Sequence, residues 1–232
     1  MQLIKLSNNK KRDKMNLADN MSAIKNELPP DVKLVAVSKF KPVESILQVY
    51  SAGQRDFGEN RPQELALKMR ELPNDIIWHF IGHLQTNKIK MIIERVDIIE
   101  SVDSEKLLTA IDKESSKIGR IVDCLLEYHI ALEESKQGFS EKEIIDIVSK
   151  KSEFRNVRIC GIMAMGSLVD DEVRTHFEFS SVRKLYDALK ARFFEDCDYF
   201  NVVSIGMSGD YKIAVKEGSN NIRIGSLIFG DR

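Results

Sequence analysis

The chain has 232 residues, with 35 Lys plus Arg against 36 Asp plus Glu and a net charge of -1. That length suits one α/β domain with a sizeable core. The even charge argues against a basic face for nucleic acid and against an acidic tail, and no run of about 18 apolar residues offers itself to a membrane. Cys124, Cys160 and Cys197 are far apart, with neither a metal spacing nor a disulfide framework. They read as reduced thiols of a cytoplasmic protein, and no signal-peptide pattern opens the chain.

Residues 1–14 are polar and pattern-poor and read as an N-terminal extension, a candidate for disorder; Lys10, Lys11, Arg12 and Lys14 there form a solvated overhang. Residues 15–232 read as one barrel domain. A helix is expected in "NLADNMSAIKNELPP". The run "KLVAVSK" (33–39) is a first strand, and "VESILQVYSAG" then places Ile46 and Tyr50 four apart before Gly53, a natural helix stop. Further strand candidates are "QRDFGEN" (54–60), "IIWHFIGHL" (76–84), "VDIIESVDS" (96–104) and "VDCLLEYHIA" (122–131). "SEKEIIDIVSKK" starts a helix with Ser140 as N-cap and Glu143 three residues later, a capping box. "VRICGIMAM" (157–165) precedes "VRKLYDALKARFF", which sets Val182, Leu185, Tyr186, Leu189 and Phe193 on one helix face. "FNVVSIGMS" (200–208) and "NIRIGSLIFG" (221–230) complete eight strands. Strands alternating with helices in this number predict a (β/α)8 TIM-type barrel with an extra N-terminal helix. A doubly wound sheet calls for fewer strands and a GxGxxG turn after the first, and here that strand ends in a lysine.

Barrel chemistry sits at the C-terminal strand ends. Those ends supply Lys39, then Glu59 and Asn60, then His83 and Gln85, then Ser204, Met207 and Ser208, then Arg223, Gly225 and Ser226. The last two strands often bind phosphate in this fold. "SIGMSGD" is a Gly- and Ser-rich turn with a helix expected from Asp210, a setting whose N–H groups favour an anion. Gly225 and Ser226 offer a second such turn, although Gly and Ser also punctuate ordinary loops. Lys39 at an apolar strand tip has two readings that spacing leaves open. It snorkels to water, or its desolvated amine attacks an aldehyde to form a Schiff base. An amine facing a phosphate cradle suits pyridoxal 5′-phosphate (PLP) or a sugar phosphate. Lys41 is expected to point to water. Arg223 lies two residues before Gly225 and so shares its face; its acceptor is the PLP ring nitrogen, or else Glu59 or Asp210.

Blander readings fit the remaining residues. His79, beside Trp78, reads as a core or rim histidine; His83 meets either a ligand or a loop. His83, His129 and His176 show no metal-ligand spacing. Met163 and Met165 read as barrel filling, and Lys136 as a loop charge.

Six motifs in order, "AVSKFKP", "FGENRPQE", "WHFIGHLQTNKIK", "EESKQGF", "SIGMSGD" and "IRIGSLIFG", together resemble the pyridoxal phosphate homeostasis protein family, over about Met15 to Gly230. That family is similar to the N-terminal barrel domain of alanine racemase. The resemblance implies that Lys39 forms the PLP aldimine, that Ser208, Gly225 and Ser226 hold the phosphate, and that Arg223 meets the pyridine nitrogen. It also implies that Asn60 lies beside the ring or its 3′ oxygen. Departures from the family pattern are His129 where relatives often carry Asn, Ser226 where they often carry Thr, and Gly209. The implied role is PLP binding in vitamin B6 and amino-acid and keto-acid homeostasis, not conventional catalysis. Implied partners are PLP and apo PLP enzymes, with neither nucleic acid nor membrane, and the chain is expected to be a monomer. The alternatives are a small PLP racemase or decarboxylase, or a Schiff-base aldolase with Glu59 as its acid or base. Alanine racemase draws a catalytic tyrosine from a C-terminal domain, and none is expected here, since the sequence runs two residues past "LIFG".

Overall fold

Leu34–Val37 form an unbroken buried run because a barrel strand is covered on both faces, by the lumen inside and by helices outside. The computed structural model describes residues 17–131, 137–167, 169 and 171–230. The extension 1–14 and Lys136 lie outside the described residues. Eight parallel strands close in chain order: β1 Lys33–Val37, β2 Asp56–Glu59, β3 Ile77–Phe80, β4 Ile98–Val102, β5 Val122–Tyr128, β6 Val157–Ala164, β7 Val202–Ser204 and β8 Asn221–Ile224. Closure is made by Lys33–Ala36 of β1 pairing with Asn221–Ile224 of β8.

The expected extra helix, α1 (Leu17–Glu27), packs beside α2 (Val43–Ser51), and its Asn20 amide donates to the Ile228 carbonyl at 3.1 Å. Gly53 ends α2 at φ 94°, a conformation that L side chains rarely adopt. α3 (Pro62–Glu71), α4 (Glu105–Lys117), α5 (Glu141–Ser149), α6 (Glu172–Phe193) and α7 (Tyr211–Lys216) follow their strands. The Ser140–Glu143 capping box is formed at the start of α5. Between β3 and β4 the chain makes only a 3-10 turn, Thr86–Met91.

The eighth run is shorter as a strand than its apolar pattern suggests. After Ile224 the chain leaves the ladder at Gly225 and winds into a single helical turn, α8 (Ser226–Phe229). Phe229 and Gly230 donate to the Gly225 and Ser226 carbonyls at 2.9 Å each. Ile228 and Phe229 are buried in this turn; a short apolar run does not separate strand from helix.

The main core lies between strands and helices, with Trp78, Phe57 and Phe80 fully buried. A second cluster of Leu125, Cys160 and Met163 lies on the inward-facing positions and is small. Val35, Val37 and Ile81 add apolar filling around Gly58, and a polar group completes the lumen: His79, Glu100, Ser204, Asn221 and Arg223 are all buried. No helix among the described residues is long and apolar enough to cross a membrane.

Candidate functional site

The strand ends meet in a cleft of about 630 Å³ at the C-terminal mouth of the barrel. Lys39 enters after β1, Asn60 after β2, Ser208 after β7, Arg223 from β8, and Gly225 and Ser226 just beyond it; all six line the cleft. Val37, Ile81 and Met165 supply apolar wall. Asn60 is backed by Gly82, where a Cβ would come within 2.4 Å of the Asn60 carbonyl oxygen. The buried Asn60 Oδ1 has no hydrogen-bond partner among the described residues.

Two turns face each other across β7 and β8. In the first, Asp210 Oδ1 accepts from the Met207 N–H at 2.5 Å, and the Asp210 N–H returns to the Met207 carbonyl at 3.2 Å. Burial pushes the Asp210 carboxyl above its usual range, against the hydrogen bond from Met207 and the charge of Arg223. The turns are tied where Ser208 Oγ accepts from the Gly225 N–H at 3.3 Å. The backbone N–H groups of Ser208, Gly209, Ser226 and Leu227 have no acceptor among the described residues. Ser208 is half-buried and Gly209, Ser226 and Leu227 are exposed, so water can reach these groups, and clustered N–H groups of this kind favour an anion over water alone. The expected helix behind the first turn is α7, of only 6 residues, and α8 has 4. Attraction for an anion therefore rests on the N–H groups themselves.

The turn that carries Lys39 is held from behind. Ser38 Oγ donates to Glu59 Oε1 at 2.6 Å, and Lys68 Nζ donates to Glu59 Oε1 at 2.7 Å, Glu64 Oε1 at 2.6 Å and the Ser38 carbonyl at 2.9 Å. Glu64 Oε1 also accepts from the Phe40 N–H at 2.7 Å. Phe40 sits at φ 63°, the only non-glycine residue with positive φ among those described. Such backbone persists where its surroundings fix it, and here Glu64 and Lys68 do so. Burial pushes the Glu59 carboxyl above its usual range, against the pull of Lys68 and Ser38.

Several expectations need correction. Glu59 is fully buried in this cluster and does not line the cleft, so it is no acid or base at the mouth. Lys41 does not point to water. It lines the cleft and donates to the Phe229 and Gly230 carbonyls at 3.2 and 3.0 Å, because the end of α8 leaves those oxygens without intrahelical donors. Of the two readings open for His83, the loop is the one observed: it bonds Asp103, just after β4, at 2.9 Å and is not on the cleft wall. His129 lies beside Glu127 and Gln137, with its Nδ1 unpartnered among the described residues. Burial pushes the Glu127 carboxyl up to about 7, helped by the charge of Asp103 and opposed by Arg223.

Arg223 is 4% exposed, and neither Glu59 nor Asp210 is its hydrogen-bond partner. Its Nη1 donates to the Ser204 carbonyl at 2.8 Å and to Ser204 Oγ, its Nη2 donates to the Ala164 carbonyl at 2.9 Å, and Glu100 Oε2 lies 3.7 Å from Nη1. Burial draws the guanidinium pKa down, against Glu100, Asp210 and Glu127, but arginine keeps its proton in proteins. Glu100 is the residue that the sequence does not flag. Its signal is a carboxylate in the middle of the apolar strand "IIESV".

Fold and cleft together define a class: the barrel described as the alanine racemase N-terminal domain, whose family model matches residues 13–232. The alanine racemase of Clostridium difficile shares that fold, with a TM-score of 0.77 at 17% identity over 94% of this chain and 60% of that one. Much nearer in sequence is the pyridoxal phosphate homeostasis protein of Schizosaccharomyces pombe, 34% identical over 205 residues, 87% of this chain and 85% of that protein. The protein of that name from Helicobacter pylori is 37% identical over 201 residues, 85% of this chain and 87% of that one. PipY of Synechococcus elongatus, solved with PLP bound, superposes with a TM-score of 0.84 at 33% identity, over 92% of this chain and 100% of PipY. This chain belongs to the pyridoxal phosphate homeostasis protein family.

The Lys39 turn depends on a buried ion pair, so removing its cation alone should be severe. Lys68→Met leaves Glu59 buried without a counter-charge, and stability in urea melts should fall by about 3–5 kcal/mol. Lys68→Met combined with Glu59→Gln should recover most of that loss. A single variant within about 0.5 kcal/mol of the parent would contradict the assignment.

Proposed function

We propose that the barrel of residues 15–232 binds pyridoxal 5′-phosphate through Lys39 and serves vitamin B6 and amino-acid and keto-acid homeostasis. One observation carries this reading. A primary amine, a buried guanidinium and four backbone N–H groups without an acceptor among the described residues line or border one cleft. The PLP-bound structure of PipY and the names of the relatives support it. When bound, this cofactor supplies an aldehyde that condenses with a primary amine and a ring that withdraws electrons.

The chain's own residues divide the work. Lys39 offers the amine that captures the aldehyde. The turns at Ser208–Gly209 and Ser226–Leu227 offer N–H donors to the phosphate, and Ser208 and Ser226 add hydroxyls. Asn60 stands beside the ring and its 3′ oxygen. Arg223 offers only donors, so a ring nitrogen facing it must accept and stays unprotonated. An unprotonated ring withdraws electrons less strongly, which favours holding the cofactor over working it. The cleft draws all these groups from one chain, which fits a monomer as the binding unit. Apo forms of PLP enzymes are the clients this reading expects. Cys124, Cys160 and Cys197 are free thiols, in keeping with the reducing cytoplasm.

Borohydride reduction of the PLP-loaded protein, followed by peptide mapping, should place the pyridoxyl group on Lys39. Lys39→Ala should keep the fold and lose the label. A label on Lys41 or Lys88 would refute the assignment.

Ser208→Ala should weaken PLP binding about tenfold to a hundredfold, the worth of one hydrogen bond to a charged group. Pyridoxal, which lacks the phosphate, should bind the parent far more weakly than PLP. Equal affinities for PLP and pyridoxal would remove the phosphate role from the two turns.

A further inference from the structure

A chain of buried polar groups runs down the lumen from Arg223 to the opposite end of the barrel. Arg223 Nη1 and Asn221 Nδ2, the latter at 2.9 Å, both approach Ser204 Oγ. Both are donors, so the hydroxyl must accept from them and spend its own proton elsewhere. It donates to Glu100 Oε2 at 2.6 Å. Glu100 Oε1 accepts from His79 Nδ1 at 2.6 Å and from Asn221 Nδ2 at 3.1 Å. His79 Nε2 in turn meets Asp56 Oδ1 at 3.1 Å, and Lys33 Nζ lies 3.1 Å from the same oxygen.

Each ring nitrogen of His79 faces a carboxylate, so both must donate and the ring is an imidazolium. The pKa agrees: burial opposes the proton, but Asp56 and Glu100 outweigh it and push His79 up to about 9. Burial likewise opposes the Glu100 charge, yet His79, Arg223 and Ser204 hold its carboxyl below the usual range. From mouth to floor the charges therefore alternate: Arg223, Glu100, His79, Asp56, Lys33. Arg223, Ser204, Glu100, His79 and Asn221 are each less than 5% exposed. A lumen needs no such chain to be stable, since apolar filling of equal volume is often as good or better. Its members do hold one guanidinium in one orientation: Glu100 and Asn221 fix the Ser204 hydroxyl, and that hydroxyl, the Ser204 and Ala164 carbonyls and the nearby Glu100 charge fix Arg223. The floor end borders a cavity of about 380 Å³ lined by Lys33, His79, Glu100 and Asn221, at the end away from the cofactor cleft.

We propose that Glu100 and His79 are positioning residues that act through Ser204 to aim the Arg223 guanidinium at the ring nitrogen of the bound cofactor. This rests on the PLP reading above. The two fail in different ways: a parent protein that binds no PLP ends the PLP reading, whereas the comparison below addresses the positioning pair alone.

The probes are PLP and 1-deaza-PLP, in which a C–H replaces the ring nitrogen while aldehyde and phosphate remain. The parent protein should prefer PLP by roughly tenfold or more, the worth of a hydrogen bond to a charged group. Glu100→Gln keeps the side-chain shape and an acceptor for Ser204 but removes the charge. It should weaken PLP toward the affinity of the deaza analogue and leave the analogue's own affinity unchanged. His79→Gln should do the same in smaller measure. Equal weakening of both probes would mean only a structural role and would overturn the proposal; so would no change with either. If Glu100→Gln does not fold, the parent's His79 ring nitrogen signals carry the test by NMR. They should move on adding PLP and stay still on adding 1-deaza-PLP, and an identical response to the two would overturn the proposal.

Discussion

One buried guanidinium organises this barrel. Arg223 cannot shed its charge, so a position with 4% exposure must come with acceptors built around it. The carbonyls of Ala164 and Ser204 at the ends of β6 and β7 supply two, and Ser204 Oγ a third. Glu100 balances the charge from across the lumen, which then requires His79, which requires Asp56. Part of the lumen is thereby polar, beside its small apolar cluster, and the larger apolar core lies in the layer between strands and helices. The same guanidinium looks out into the cleft, where it joins Lys39 and Ser208 on the walls.

The two sides of the mouth are held by separate devices. On the β1 side, Lys68 and Glu64 pin a turn whose Phe40 takes a left-handed conformation. On the β7 and β8 side, Asp210 closes one turn on itself and Ser208 ties it to Gly225. Lys41 joins the sides by reaching from the β1 turn to the last carbonyls of α8. A ligand meeting such a frame orders little that is not already ordered, and preorganisation of this kind favours affinity.

The barrel is legible in the sequence because most strand runs are apolar and several of the helices carry their own period or stop signal, as at Ser140 and Gly53. Strand tips are legible for the same reason: Lys39, Asn60, Ser208 and Ser226 are polar residues at or just past the ends of strand runs, Arg223 interrupts the last run just before Gly225, and all six share one cleft. Less legible is anything set by partners distant in the chain. Ser204 and Asn221 reach Glu100 across 104 and 121 residues of sequence. No local pattern announces those pairs, although a carboxylate inside "IIESV" hints that one exists. Lys41 is misjudged from its place before Pro42, because the carbonyls it satisfies belong to the end of an α8 that itself reads as strand. The buried role of Glu59 is hidden similarly, since Lys68 lies nine residues away on the far side of a helix start.

A crystal structure of this protein soaked with PLP tests the account most directly. The account predicts continuous density from Lys39 Nζ to the cofactor, phosphate oxygens within hydrogen-bond reach of the Ser208–Gly209 and Ser226–Leu227 N–H groups, and the ring nitrogen about 3 Å from Arg223. Cofactor density elsewhere, or a ring whose nitrogen faces away from Arg223, would contradict it.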